Sequence, residues 1–221
     1  MKTMVLLMAL MIGSLNHVNA NKTEPTEPIT TTPKIDVERN AKKLRLKKFK
    51  RSVTASTDLK EFSYHQKMYV VNAPIDSVWK TYTTIKPSDA WKGPLNTFKQ
   101  SCSPLVDSVY LSSDSVLPPI QEEMVYELNL RIAGLMDVGV AFQITEVDHT
   151  TKTIEFTYGE DNASHGRQRI VFTSDGDQTF IIHYSNFKSS SKFRDRFLYP
   201  KFHEDCMDEF HANLKEKIEK K

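Results

Sequence analysis

Hydrophobic and polar positions change their period at one junction early in the chain. Residues 62–71 are rich in aromatic and β-branched side chains, which predicts a β-strand. A helix is predicted next, because apolar residues recur at helical spacing in Ile75, Val78, Trp79 and Tyr82. Pro74 lies at the boundary, and its fixed φ suits the first turn of a helix. Its missing N–H has no consequence there, because N–H groups in a first turn have no partner within the helix. We therefore expect a strand that leads directly into an amphipathic helix, with Trp79 buried between helix and sheet.

A period of two follows a second short helix, which is predicted at residues 87–91. Alternating apolar residues predict strands near 105–111 and at 124–132, 138–144, 154–158, 168–172 and 180–184. The connections between the later strands are short and rich in Asp, Asn, Gly and Thr, as is typical of turns. This pattern indicates an antiparallel meander with one apolar face and one polar face.

The chain ends in a long amphipathic segment. Pro200 marks its start or a kink, and apolar residues then recur every four positions in Phe202, Cys206, Phe210, Leu214 and Ile218. A half-polar sheet needs a cover for its apolar face, and this helix is long enough to provide one. The order of elements predicts an α+β protein in which the C-terminal helix lies on the sheet.

Charge is distributed unevenly along the 221 residues. Residues 39–51 contain eight basic and no acidic side chains, whereas residues 58–221 contain 19 basic and 24 acidic side chains. This balance argues against nucleic-acid binding by the domain. The basic segment either contacts an anionic membrane surface weakly or is a solvated linker.

The first 57 residues are expected to lie outside the folded domain. Residues 1–20 combine an early Lys2, an apolar run of about a dozen residues and the pair Val18 and Ala20, which predicts an export signal cleaved after Ala20. Residues 21–57 are Thr/Pro-rich and then basic, which is typical of a flexible linker. The folded domain is predicted at residues 58–221. The protein is expected to be periplasmic or secreted and to be a monomer. Cys102 and Cys206 either form one bridge or are not joined, with Cys206 in the core.

Candidate catalytic and metal-binding residues do not converge in this sequence. His203 and His211 are eight residues apart on the predicted helix, about 12 Å along its axis, which is too far to share a zinc ion. His149, His165 and His183 are dispersed, and the alternation around His183 predicts that it faces solvent. Cys206 is a nucleophile only if His203 activates it, and its apolar surroundings argue against that. We therefore predict no catalytic residue, no metal and no cofactor.

Gln168 is the most informative polar residue, because it shares a strand face with Ile170 and Phe172. A buried amide must find hydrogen-bond partners. Gln168 therefore either bonds to a core residue such as Tyr126 or Tyr158, or contacts the polar group of a ligand.

The sequence resembles the START-like (SRPBCC) helix-grip superfamily of polyketide cyclase and lipid-transport type, including bacterial members of unassigned function. The resemblance rests on "VVNAPIDSVWKTY", "EVDHTTKTIEFTYGE", "SHGRQRIVF" and the terminal helix. It implies a curved antiparallel sheet of about six to seven strands around a long C-terminal helix, with two short helices after strand 1.

The resemblance also implies a cavity for a hydrophobic small molecule or lipid. Its wall is expected to include Tyr126, Phe142, Tyr158, Gln168, Tyr184, Phe202 and Phe210. The alternative function is a cyclase- or hydrolase-type enzyme that uses the same cavity, which perturbed titratable groups on the inner face would favour. A third interpretation is an interaction protein with a filled core.

Overall fold

The computed structural model describes Leu46 and residues 48–103, 105–132 and 134–220. The predicted export signal and most of the predicted linker lie outside these residues. The described strands are β1 (Ser63–Val71), β2 (Asn96–Ser103), β3 (Ser108–Leu111), β4 (Val125–Ile132), β5 (Met136–Asp148), β6 (Thr153–Tyr158), β7 (Ser164–Asp175) and β8 (Gln178–Ser189). The described helices are α1 (Ile75–Thr84), α2 (Pro87–Ala90) and α3 (Tyr199–Glu219), with a π-helical turn (Arg194–Leu198) before α3.

The eight strands form one antiparallel sheet in the order β1-β8-β7-β6-β5-β4-β2-β3. Helix α3 packs on one face, here called the inner face, together with α1 and α2. The predicted helix-grip architecture is confirmed, with eight strands rather than six to seven. The predicted burial of the α1 stripe is also observed, since Val78, Trp79 and Tyr82 are buried.

Strand β2 was not predicted from the sequence because six of its eight residues, including Asn96, are polar. The structure satisfies part of that polarity from α3. The carboxylate of Glu209 accepts the backbone N–H groups of Leu95 and Asn96 at 3.1 and 2.7 Å, and the Asn96 side chain donates to the Cys206 carbonyl at 2.7 Å. These bonds join α3 to the sheet beside α2.

The face of β8 that points inward is the opposite of the predicted one. Ile181, His183 and Phe187 are buried, whereas Phe180, Ile182 and Tyr184 are only partly buried. His183 is therefore inside the domain, and the prediction that it faces solvent is wrong. The prediction failed because β8 carries apolar residues on both faces, so that alternation alone does not choose between them.

Part of the segment assigned to a flexible linker packs on the outer face of the sheet. We call Leu46 and residues 48–53 the outer segment. Leu46 is buried in a small cluster with Cys102, Val109 and Val125, and Val53 is buried as well. The ring of Phe49 packs so closely on Gly159 that a Cβ atom added to this glycine would lie only 2.9 Å from the ring. The folded part of the chain therefore begins before residue 58.

Polar contacts also hold the outer segment to the sheet. Arg51 donates to Gln143 at 2.6 Å and forms an ion pair with Glu123 at 2.5 Å. The backbone N–H of Ser52 donates to the Tyr158 carbonyl at 2.8 Å. The two cysteines are not joined to each other, because Cys102 belongs to this outer cluster and Cys206 to the inner core.

Candidate functional site

A small cavity lies on the inner face between the sheet, the α1–α2 connection and α3. Its volume is about 50 Å³. It is lined mostly by apolar and aromatic side chains from these elements, namely Tyr82, Ile85, Pro87, Ala90, Trp91, Ile120, Tyr126, Phe142, Ile144, Ile154, Phe156, Ile170 and Phe210. The Trp91 ring stacks on Phe210, with centroids 4.2 Å apart, and so joins α2 to α3 beside the cavity.

Tyr126 is a polar exception in the cavity wall. Its ring stacks on Phe142 with centroids 5.5 Å apart. Its hydroxyl is buried and has no hydrogen-bond partner within the described part of the chain. A buried hydroxyl left in this state costs free energy. Burial also raises the pKa of Tyr126, so the hydroxyl stays protonated and can donate or accept one further bond.

A chain of six side chains, here called the relay, runs beside the cavity from the buried Tyr82 to the partly buried Tyr199. The Tyr82 hydroxyl lies 2.7 Å from Nδ1 of His211, and Nε2 of His211 lies 2.9 Å from Nδ1 of His183. Nε2 of His183 bonds to the amide oxygen of Gln168, and the amide nitrogen of Gln168 donates to Tyr158. The Tyr158 hydroxyl is 2.7 Å from that of Tyr199. The relay connects α1, α3 and three strands.

Burial keeps the histidines of the relay uncharged at neutral pH. Desolvation lowers the pKa of His211 to about 3. Desolvation also lowers the pKa of His183 well below its usual value, and the repulsion that would arise if His183 and His211 were both protonated lowers it further. A stacked ring of Tyr69 covers His211 at 3.9 Å between centroids. Lys67, which forms ion pairs with Glu204 and Asp208, lies at the outer edge of this region.

His203 differs from the relay histidines. It is 7% exposed, and neither ring nitrogen has a hydrogen-bond partner among the residues that the structure describes. Its ring stacks on Tyr199 and meets His183 edge to face, at centroid distances of 5.3 and 5.9 Å. Burial lowers its pKa to about 3. The ring therefore packs as an apolar group at some cost in unmade hydrogen bonds.

Three of the seven expected wall residues, Tyr126, Phe142 and Phe210, line the cavity. Tyr158 and Gln168 belong to the relay, so Gln168 has the core partner Tyr158 that was one of its two predicted roles. Phe202 is half-buried against the inner core. Tyr184 lies on the outer face with its ring 6.3 Å from that of Tyr64, which contradicts its inward placement.

Sequence patterns indicated no role in the site for Trp91, Phe156, His183 or His211, and they predicted Tyr82 only as part of a helix stripe. One indication of this site was present in the sequence, which is that His211 directly follows Phe210. A histidine next to a core residue of an amphipathic helix is expected to lie near the helix–sheet contact. Cys206 is not activated as a nucleophile, since burial raises the pKa of its thiol to about 12.

Within the described residues, no group of His, Cys, Asp and Glu side chains is arranged to hold a metal ion. In the same part of the chain, no helix combines the length and apolar character needed to cross a bilayer. The candidate site therefore consists of the cavity and the relay.

No protein-family model and no curated protein sequence matches this chain. Solved structures with a similar backbone include the Zhui aromatase/cyclase from Streptomyces sp. R1128, with 13% identity and a TM-score of 0.54 over 72% of this chain and 94% of that chain. Norcoclaurine synthase from Thalictrum flavum, in complex with dopamine and hydroxybenzaldehyde, has 10% identity and a TM-score of 0.53 over 76% and 95%. A START superfamily protein from Mycobacterium smegmatis has 12% identity and a TM-score of 0.50 over 71% and 97%.

These similarities show the fold. The chain has the helix-grip fold of START-like proteins, as the sequence resemblance implied. At such low identity the function of those proteins does not transfer with the fold.

Proposed function

We propose that this domain binds a compact hydrophobic small molecule in the inner cavity. The observation that carries the proposal is the Tyr126 hydroxyl, which is buried in the wall of an apolar cavity without a partner in the described chain. Binding sites for small molecules combine apolar walls with a few such polar groups. A ligand that bonds to Tyr126 would remove the cost of leaving this hydroxyl unsatisfied.

The ligand must widen the cavity as it enters. The present volume of about 50 Å³ is well below the roughly 300–1,000 Å³ of sites for drug-sized ligands. Ile85 and Ile120 lie outside the helices and strands, in connections that can move with less loss of packing than the sheet. The small volume favours a compact molecule over a long-chain lipid, and norcoclaurine synthase of the same fold holds small aromatic molecules.

A titration with the neutral fluorescent dye N-phenyl-1-naphthylamine tests the proposal. The wild-type chain should bind the dye with a negative heat-capacity change, because binding buries apolar surface. Tyr126→Phe should weaken binding about 3- to 10-fold through loss of one hydrogen bond of about 1 kcal/mol. Phe210→Trp should also weaken it by filling space.

Tyr184→Phe is the matched control, since it removes the same hydroxyl from the outer face and should leave dye binding unchanged. Absence of dye binding to the folded wild-type chain would contradict the proposed function. Equal effects of Tyr126→Phe and Tyr184→Phe would remove Tyr126 from the site. Native mass spectrometry of protein purified from its own host tests the ligand class, and a retained two-chain lipid would contradict the compact ligand.

An enzyme of cyclase or hydrolase type is the second candidate. Tyr82 lines the cavity and is hydrogen-bonded to His211, and both side chains have perturbed pKa values. The direction of the shifts favours binding. Acid–base catalysis needs a pKa near the working pH. Here burial raises the pKa of Tyr82 and lowers that of His211 to about 3, so both pKa values move away from neutrality.

We also propose that the protein is exported, which the first 20 residues of the sequence support. N-terminal sequencing of protein recovered from outside the cytoplasm should begin at Asn21. A sequence that begins at Met1 would contradict cleavage after Ala20. Contact of the basic residues 39–51 with an anionic membrane stays a prediction, and two of them, Lys50 and Arg51, form ion pairs with Glu160 and Glu123.

A further inference from the structure

We propose that the cavity selects apolar ligands that carry a hydrogen-bond donor, a hydroxyl or N–H group, which the oxygen of Tyr82 accepts. The inference rests on the proposed function, because it assumes that a ligand enters the cavity. It goes further by assigning a direction to the hydrogen bond at a second wall residue. The direction comes from the part of the relay between Gln168 and Tyr82, in which the hydrogen bonds all run the same way.

The amide of Gln168 sets this direction. Its oxygen faces Nε2 of His183 and its nitrogen faces Tyr158. An amide oxygen only accepts and an amide nitrogen only donates. Nε2 of His183 therefore carries a proton, which it donates to Gln168. Gln168 is buried at 2% exposure between these two partners, so solvent does not compete for either end of the amide.

The same reasoning passes along the two histidines to Tyr82. A neutral imidazole has one N–H, so Nδ1 of His183 is an acceptor and Nε2 of His211 donates to it across 2.9 Å. Nδ1 of His211 is then bare and accepts the Tyr82 hydroxyl across 2.7 Å. Both histidines remain neutral at pH 7 because of their burial.

Tyr82 consequently has no proton left for a ligand. Its hydroxyl proton is committed to His211, while its oxygen retains a lone pair for one further hydrogen bond. Tyr82 lines the cavity, and its ring is held edge to face against Phe172 with centroids 4.8 Å apart. A ligand group that reaches this oxygen must donate. An ether or ketone oxygen at the same place is also an acceptor, so it cannot bond to the Tyr82 oxygen. A ligand with such a group should therefore bind more weakly.

Gln168 acts here as a positioning residue, because it is absent from the cavity wall and works through His183 and His211. Removal of its amide would free both histidines to exchange their tautomers. Tyr82 could then donate or accept, and the preference for donor ligands would fall. A purely structural role for Gln168 would lower stability without changing the ratio of affinities for donor and acceptor ligands.

The test compares 2-naphthol, 2-methoxynaphthalene and 2-methylnaphthalene by calorimetry on the full chain. These three molecules share one ring system, and only the first carries a donor. In the wild-type protein 2-naphthol should bind about 3- to 10-fold more tightly than 2-methoxynaphthalene, even though the ether is the more apolar molecule. Tyr82→Phe and Gln168→Leu should each reduce this ratio to near one, and Tyr184→Phe should leave it unchanged.

The comparison uses ratios within each variant, so moderate differences in stability cancel. If Tyr82→Phe does not fold, Gln168→Leu and the wild-type ratio still decide the outcome. Equal ratios in the wild type and the variants, or a wild-type preference for the ether, would overturn the donor rule and leave the proposed function standing. Failure of all three naphthalenes to bind the wild-type chain would contradict the proposed function itself, and the donor rule with it.

Discussion

Phe210 and His211 are neighbours in α3, yet they belong to two different environments under the same helix. Phe210 faces a cavity of about 50 Å³ with an almost wholly apolar wall. His211 lies in the relay, where successive polar groups are joined by hydrogen bonds. The apolar environment has unfilled space and one unsatisfied hydroxyl, that of Tyr126. The relay has its hydrogen bonds made, and the amide of Gln168 sets the direction of those that lead to Tyr82.

This difference assigns separate tasks to the two regions. Apolar packing is non-directional, so the cavity wall can adjust to ligands of different shape. Buried hydrogen bonds are directional and costly to break, so the relay holds Tyr82 in one orientation. The region with space therefore determines whether an apolar ligand fits, while the relay determines which polar group the ligand must carry.

The largest expected effect comes from the ring at the border of the two environments. Phe156 lines the cavity and meets His183 edge to face at 6.2 Å. Phe156→Ala should lower the free energy of unfolding by about 3–5 kcal/mol, measured by urea denaturation. The enlarged cavity should bind N-phenyl-1-naphthylamine more tightly. Phe197→Ala, at a ring that is 57% exposed, is the control and should stay within about 0.5 kcal/mol. Equal costs for both substitutions would contradict the placement of Phe156.

A second substitution tests how far the core extends beyond the inner face. Leu46 is 4% exposed in the outer segment, and Leu46→Ala should cost about 2–3 kcal/mol by denaturation. Leu105→Ala is the matched control, because Leu105 is 75% exposed and should contribute almost nothing. A flexible linker, as predicted for residues 21–57, would contribute almost nothing to the free energy of unfolding. An unchanged unfolding free energy for Leu46→Ala would show that the outer segment behaves as such a linker.

Acid should destabilise the polar region selectively. Burial lowers the pKa of His183, His203 and His211 below the usual value of 6.5. The unfolded chain therefore binds more protons than the folded chain below about pH 6.5, so stability falls as the pH falls. One such histidine should cost about 2 kcal/mol between pH 6.5 and 5, followed by denaturation at each pH. His211→Gln should reduce the loss, and His165→Gln, at an exposed histidine, should not. A flat profile over this range would contradict neutral buried histidines.

The smallest effect is expected at His203. Both of its nitrogens lack partners in the described chain, so His203→Phe removes unsatisfied groups while keeping the stack on Tyr199. We expect a gain of about 1 kcal/mol in the free energy of unfolding at pH 7.5. His165→Phe controls for added apolar area and should give no gain. A loss of stability in His203→Phe would show that a bound water or ligand satisfies His203.

Sequence patterns predicted the elements whose two faces differ sharply. The α1 stripe and the alternation in β4 and β5 were correct, because each of these segments is apolar on the buried side. From these strands Tyr126 and Phe142 were correctly placed toward the cavity. Strand β2 was missed because its buried Asn96 is satisfied by α3, more than 100 residues away in the chain. Polarity alone gave no indication of such a partner.

The relay could not be predicted for the same physical reason. His183 and His211 are 28 residues apart, and Tyr82 is 129 residues from His211. A buried histidine avoids the cost of unmade hydrogen bonds only when such partners meet it in the folded state, and these partners are distant in the sequence. Tyr184 was misplaced because apolar residues on the outer face of β8 look like core residues in an alternating pattern.

A crystal structure of the full chain with 2-naphthol tests the central claim most directly. The account predicts the naphthyl ring inside the widened cavity, in contact with Phe142, Phe156 and Phe210. The ligand hydroxyl should lie about 2.7–3.2 Å from the Tyr82 oxygen, with the Tyr82–His211 hydrogen bond intact. A ligand bound only on the outer face, or a hydroxyl turned away from Tyr82 inside the cavity, would contradict the account.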